Sequence, residues 1–351
     1  MPIAQNILSQ IAIHVNLSRD MVRSSSLLFL LFFCLSTVFA QKNTYTIRIK
    51  AENCSNPKVY LMRLNLKTND KLLMDSTLLK NGRAVFRGSL DTFHLCTILV
   101  NDTIKIPFFT EKNVSISLDA KKSVDVKITG GIENQLFKKY EFLFDRKGYD
   151  VVLKNPGTAF SAFTTYYILQ GEHLTKEEIY KLTGALRGNA LKTEYFSRII
   201  PLAEAVVRTL EGTLAPDFEV LGLDGRPITL SSLRGKYVVL EFWTSWCGPC
   251  RKNNPKWQAL YEKYKGDNVE IFGVSFDWAR QCEAWKQAVK KDGITYLQGS
   301  NCDGWNDISG LYAVKSVPQV FLISPEGVIL AKNFEPETFE TVYARAKGRE
   351  K

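Results

Sequence analysis

The chain has 351 residues, 45% of them apolar, enough for two domains with real cores and a leader. Its formal net charge is +10, yet the lysines and arginines are spread along the chain and interleaved with acids. With no dense basic block, the charge reads as solvated faces of a soluble protein rather than as a surface for nucleic acid or an anionic membrane, and no nucleic-acid partner is expected.

Residues 1–40 read as a leader. Arg23 supplies a positive start, Leu27 to Leu35 is nearly all apolar, and Val38-Phe39-Ala40 before Gln41 is a cleavage site of the secretory type. This signal would start naturally at Met21, which makes residues 1–20 an upstream start-site artefact or an extended n-region. The apolar run is short for a membrane span of about 20 residues. An uncleaved leader acting as an anchor is the alternative to cleavage. Phe32-Phe33 is the wrong small-residue pattern for a lipidated Cys34. The expected location is the periplasm or cell envelope, where disulfides are permitted.

Residues 41–130 read as a small β-sandwich-like domain. Thr44 to Lys50 alternates in strand fashion, Lys58 to Leu64 follows, and Asn81-Gly82 between Leu78-Leu79 and Ala84-Val85-Phe86 predicts a hairpin. Further strands are expected at Cys96–Val100, Val114–Leu118 and Val124–Ile128. No catalytic constellation falls here. Cys54 and Cys96 form a structural disulfide or stay as two buried thiols. In architecture and pattern the segment resembles the β-rich domain, of unassigned function, found ahead of envelope thioredoxins in Bacteroidetes.

From residue 131 to 213 the pattern turns helical, with Leu136, Tyr140, Phe142 and Leu143 at helical spacing. Thr175 is the expected N-cap of a helix opening Lys176-Glu177-Glu178, and Pro201 to Leu210 continues the theme. This predicts a connector of roughly four helices, with Phe160, Phe163, Tyr166 and Tyr167 in its core.

The remaining segment, 214–351, carries the chemistry. Val239-Leu240-Glu241-Phe242-Trp243 is an apolar strand, and Thr244-Ser245-Trp246 leads into Cys247-Gly248-Pro249-Cys250 at the start of a helix. The reactive species in disulfide exchange is the thiolate, and a helix N-terminus favours an anion. Cys247 is expected just before the first turn, as the more exposed thiol, and Cys250 inside it. Pro249 suits an early helical position, where a missing N–H costs little. A zinc site would need two further ligands. No second Cys-x-x-Cys exists and no histidine follows His173, so no metal and no cofactor are expected.

Trp246-Cys247-Gly248-Pro249-Cys250 after such a strand resembles the thioredoxin active site. Ala215-Pro216-Asp217-Phe218, Asp224-Gly225 and Ser231 to Lys236 resemble the opening of the TlpA/ResA-type thioredoxins and the related peroxiredoxins. The resemblance covers residues 214–351 and implies an α/β fold, a central mixed sheet flanked by helices. A hairpin (Glu219–Leu221 with Pro227–Leu230) leads to the central strand Tyr237–Trp243. Strands over Val269–Phe276 and Ser316–Ile323 follow, as do helices at Ala279–Lys291, Asp307–Ala313 and Pro336–Lys347. It further implies that Cys247 attacks a partner disulfide, Cys250 resolves the mixed disulfide, and Glu241, where thioredoxins commonly have a buried Asp, takes the proton of Cys250. Pro318 resembles the cis-proline facing the dithiol. It turns the Val317 backbone outward to pair with a substrate chain, beside Trp246, Gly248 and Pro249, while Trp243 packs beneath.

Trp285 and Trp305 are expected in the core around an insertion that also holds Cys282 and Cys302. These two cysteines bridge, stay free, or form a second redox pair, the structural readings outweighing the redox one. The reading implied is an exported thiol–disulfide oxidoreductase that reduces disulfides of envelope proteins, fed by a membrane electron donor. Some relatives reduce apocytochrome c before haem attachment, which makes cytochrome c maturation one candidate pathway. Two rivals stand beside it. One is a thiol peroxidase, whose Thr-x-x-Cys centre Thr244 to Cys247 superficially fits; the other is a non-enzymatic envelope binding protein.

Overall fold

The computed structural model describes residues 44–66, 70–122, 125–141, 143–171 and 174–349. The leader over residues 1–40, with Cys34, lies outside them, as do Val124 and Phe142. Eight strands build two four-stranded sheets. β1 (Thr44–Glu52), β4 (Arg83–Ser89), β7 (Asn113–Asp119) and β8 (Lys127–Thr129) form one, in the order β4-β1-β7-β8. β2 (Lys58–Leu64), β3 (Lys71–Leu78), β5 (Leu95–Val100) and β6 (Ile104–Phe109) form the other, in the order β3-β2-β5-β6. Alternate residues of β1 (Ile47, Ile49, Ala51) and of β5 (Cys96, Ile98, Val100) meet in one core, the packing expected of half-buried strands.

Two features depart from the sequence reading. Asn81-Gly82 does make the tight turn: both residues have positive φ, and Lys80 and Arg83 exchange both backbone hydrogen bonds, at 2.8 and 3.0 Å. The pairing stops there, because β3 and β4 diverge into different sheets and the turn is a crossover. β6 was not anticipated. It holds Pro107, which cannot donate to a ladder but is tolerated because β6 is the outer strand of its sheet. Cys96 is buried and unbridged, as is the half-buried Cys54.

Five helices follow, one more than the spacing suggested: α1 (Ile132–Tyr140), α2 (Arg146–Lys154), α3 (Ala159–Gly171), α4 (Lys176–Ala185) and α5 (Phe196–Arg208). α4 starts as expected, with a capping box in which the Thr175 hydroxyl accepts from Glu178 N and Glu178 accepts from Thr175 N. α5 begins five residues ahead of Pro201, which sits inside it. Phe160 and Phe163 are fully buried, Tyr166 and Tyr167 pack beside them, and Phe109 of β6 closes the same core. The helices thus share their core with the sandwich.

Residues 212–215 pair with the edge of the last sheet, through Ala215 N to Gly327 O and Gly212 N to Ile329 O. A hairpin, β9 (Glu219–Leu221) and β10 (Pro227–Thr229), precedes β11 (Tyr237–Trp243). Then come α6 (Gly248–Tyr264), β12 (Val269–Ser275), α7 (Cys282–Lys291), β13 (Leu297–Gly299), α8 (Asp307–Leu311), β14 (Gln319–Ile323), β15 (Ile329–Lys332) and α9 (Phe339–Arg349). The sheet order is β13-β12-β11-β14-β15, with β11, β12 and β13 parallel and β14 and β15 antiparallel to their neighbours.

Every residue of β11 is buried, as a central strand covered on both faces requires. Val238, Leu240 and Phe242 face a core with Phe218, Tyr312 and Phe321. Tyr237, Val239 and Trp243 face the opposite core with Cys250, Trp257, Phe339 and Tyr343. That alternation sets Glu241 on the face carrying α6. Among the described residues no helix is long and apolar enough to cross a membrane.

Candidate active site

The two cysteines stand where β11 hands over to α6, and they are joined by a disulfide with Cα atoms 5.3 Å apart. Cys247 is the N-cap of α6: its backbone is extended and its sulfur accepts from Cys250 N at 3.2 Å. Gly248 and Pro249 are the first two helical residues, so the missing proline N–H falls among donors with no helical partner. Cys247 is less exposed than its N-cap position suggested, at 5%, against 0% for Cys250. Its cover comes from Val317, whose carbonyl oxygen lies 3.7 Å from Cys247 Sγ, and the Val317–Pro318 peptide is cis as expected. Trp246 stands out at 56% exposure, while Trp243 is buried with its indole N–H donating to Gln298 Oε1 at 3.1 Å.

Glu241 is fully buried, and among the described residues neither of its carboxylate oxygens has a hydrogen-bond partner. Burial pushes its pKa up to about 8; the nearby Trp257 indole offsets this in part, and the Glu335 charge adds to it. Trp257 Nε1 itself completes no hydrogen bond, and neither does the buried Tyr296 hydroxyl, which feels the Glu241 charge. The α6 face of the sheet, which also carries Cys250 and Trp257, thus holds a buried carboxyl whose pKa is pushed up to about 8.

Two clamps on the turn ahead of Cys247 were not read from the sequence. Asp277, fully buried just after β12, accepts from Ser245 N and Ser245 Oγ at 2.7 Å each, and from Ser275 Oγ at 2.7 Å. Arg251 reaches back from α6 to the Ser245 carbonyl at 3.1 Å while its Nη2 holds Asp292 at 2.6 Å. Their only signal in the sequence is residue type, since 32 and 41 residues separate the members of each pair. Nearby, Cys282 at the start of α7 and Cys302 form a second disulfide, and Trp285 is buried between α7 and the sheet. Among the described residues no three His, Cys, Asp or Glu side chains gather as a metal site.

Residues 212–332 match the AhpC/TSA family, and residues 45–137 match a domain of unknown function, DUF4369. The chain is 37% identical to the thiol-disulfide oxidoreductase ResA of Bacillus cereus over 129 residues, which are 37% of this chain and 72% of that protein. The ResA of Bacillus subtilis is 34% identical over 120 residues, 34% of this chain and 65% of that one. The crystal structure of the thioredoxin domain of a thiol-disulfide oxidoreductase from Bacteroides vulgatus aligns at 32% identity with a TM-score of 0.37, covering 39% of this chain and 98% of that one. With its dithiol on a helix start and such extended identity to the Bacillus proteins, the chain belongs to the TlpA/ResA-type thioredoxin-like thiol–disulfide oxidoreductases and is an enzyme of that activity.

Proposed function

We propose that the protein reduces disulfides of proteins in the cell envelope, with Cys247 as nucleophile, Cys250 as resolving thiol and Glu241 as proton acceptor. The observation that carries this reading is the unpartnered Glu241 carboxyl under a dithiol at a helix N-terminus. The Cys247 thiolate attacks one sulfur of the substrate disulfide, and the other sulfur leaves as a thiolate and takes a proton. Cys250 then gives its proton to Glu241 and attacks Cys247 Sγ. This breaks the mixed disulfide, closes the Cys247–Cys250 bridge and releases the second substrate thiol. Two electrons pass from the enzyme to the substrate.

Buried Cys250 needs a base in a place water does not reach. A carboxyl with a pKa about 8 lies close to the thiol range, which makes the transfer less uphill than to an ordinary carboxylate. The Val317 carbonyl beside Cys247 Sγ gives an extended substrate strand a backbone acceptor at the point of attack. Exposed Trp246 provides apolar contact on the other side.

The envelope location rests on the secretory pattern of residues 21–40. In an oxidising compartment the dithiol is regenerated only by a reductant, so a membrane electron donor is the partner upstream. Downstream the partners are disulfide-bearing envelope proteins, apocytochrome c being one candidate. The Gly248-Pro249 pair favours the reducing direction. The test is the reduction potential of the Cys247–Cys250 pair in a dithiol redox buffer. A value near thioredoxin's, about −270 mV, is expected; one near that of DsbA, about −120 mV, makes the protein an oxidant and overturns the reading.

A further inference from the structure

We propose that the helical segment ahead of the thioredoxin-like region forms one wall of the groove that receives the substrate chain. The end of α3 then selects for an extended, hydrophilic or basic segment next to the cystine. This rests on the function proposed above and extends it to a part of the chain outside both matched family regions.

A groove of about 220 Å³ opens beside Pro318. One side is built by Pro318, Asn333, Phe334 and Glu335; the other is built by Gln170 and Gly171, the last two residues of α3. The groove borders the reacting centre through Pro318, whose neighbour Val317 faces Cys247 Sγ with its carbonyl oxygen. A chain that pairs along Val317 and continues past Pro318 enters the space between the two walls.

The α3 wall is fixed. Phe160 and Phe163 anchor the helix in its core, and Ala313, just after α8, packs against the same core. Gln170 Nε2 donates to Tyr166 O at 2.8 Å, which holds that side chain along the helix. Apart from Phe334, Val320, Pro318 and Gly171 the lining is polar, and Glu335, an exposed acceptor held by Asn253 Nδ2 at 2.6 Å, is its one charged group among the described residues. A narrow polar slot with a carboxylate suits an extended chain carrying small, polar or basic residues. It disfavours a bulky or acidic surface.

The geometry offers a substitution that fills the slot. A Cβ added at Gly171 meets none of the described atoms within 4 Å beyond its chain neighbours, so Gly171→Trp adds bulk at the groove wall from a position with room for a side chain to start. The experiment compares single-turnover rates of the reduced full-length protein with insulin, a protein disulfide, and with dithiobisnitrobenzoate, a small one. The ratio of the insulin rate to the small-disulfide rate is expected to fall about tenfold in Gly171→Trp, a size typical of a displaced reacting geometry. A ratio equal to the parent's overturns the proposal.

Gln170→Lys, which keeps the helix and nearly the same volume, provides an independent reading. With two cystine peptides that differ only in flanking arginines or glutamates, the parent is expected to prefer the basic one. The lysine opposite Glu335 should cut that preference at least about threefold. An unchanged preference, or a parent with none, overturns the proposal. A parent that reduces neither insulin nor the small disulfide would sink the proposed function, and this inference with it.

Discussion

Two fully buried glutamates, Glu133 in the helical segment and Glu241 under the dithiol, differ in one respect that separates structure from chemistry. Glu133 accepts from Phe160 N at 2.9 Å and from Asn189 Nδ2 at 3.2 Å, so it caps α3 and ties it to α1. Burial raises its pKa, and those donors hold the rise in check. Glu241 is equally shielded from solvent, and no described residue completes a hydrogen bond to it. The nearby Trp257 indole offsets the effect of burial only in part, and the Glu241 pKa climbs to about 8. A buried carboxyl with its donors in place is a structural joint. One without them is costly unless the reaction uses it.

The strongest way to break this contrast is Glu241→Gln. Without its proposed proton acceptor the resolving step should slow by about 100-fold, the lower end of the usual worth of a general base. The rise of that rate with pH should move from near 8 toward the higher pH at which the thiol itself ionises, checked by single-turnover kinetics from pH 6 to 10. Stability should move the other way. The native state holds a proton on Glu241 between about pH 4.5 and 8 that the unfolded chain has released, so parent stability falls as pH rises through that window. At 1.36 kcal/mol per pKa unit the slope accumulates to about 3–5 kcal/mol by pH 9. Glu241→Gln, which cannot ionise, should be the more stable protein at pH 9 and lose most of its advantage at pH 5. An equal pH dependence of the two melting curves would sink the assignment.

Glu133→Ala tests the other side. It strands the buried Phe160 N–H and the Asn189 amide, each costing about 1–3 kcal/mol, and should destabilise by about 3 kcal/mol in urea titration. The pH dependence of the resolving step should stay at the parent's. A shift in that dependence would mean that Glu133, too, is coupled to the dithiol.

Asp277 sharpens the contrast from within the thioredoxin-like region, because it is buried beside the site and fully partnered. Asp277→Asn keeps one acceptor oxygen and puts an amide against donors. A loss of about 2 kcal/mol in stability follows. The looser Ser245–Trp246 backbone should slow the first attack by Cys247 about tenfold. Resolution by Cys250 lies on the far side of the turn and keeps its pH profile. Equal slowing of both steps would show that Asp277 holds more than the turn.

The sequence made much of this visible, in places where the signal is local. The bounds of β2 and β11, the β9–β10 hairpin and the capping box at Thr175 all follow from patterns within ten residues. The burial of Glu241 could be expected from its likeness to the buried Asp of thioredoxins and from its apolar neighbours Leu240, Phe242 and Trp243. What stayed hidden was pairing at long range. Asn81-Gly82 makes its turn correctly, but which sheet each flanking strand joins is settled by packing in the sandwich core. The depth of Cys247 depends on Val317, 70 residues away, and the Cys282–Cys302 bridge on how α7 meets the loop after β13.

The smallest effect comes from Glu111, 7% exposed, which joins the sandwich to the helices. One of its oxygens accepts from Glu133 N at 3.1 Å and the other from Asn134 N at 3.3 Å and the Asn134 amide, so the carboxylate caps the N-terminus of α1. Gly130 and Gly131 make room for it: a Cβ at either would stand 2.8 or 2.5 Å from a carboxylate oxygen. Glu111→Gln keeps the shape and one acceptor. It removes a charge at the positive end of a helix, worth about 0.3–1 kcal/mol, and one hydrogen bond, worth about 1 kcal/mol. The expected loss is about 1–2 kcal/mol in chemical denaturation, with a smaller loss in high salt as the charge contribution is screened. A loss that is the same at low and high salt would assign the whole effect to the hydrogen bond. No loss at all would mean that the β-sandwich and α1 are held together by the apolar contact of Phe109 with Phe137 instead.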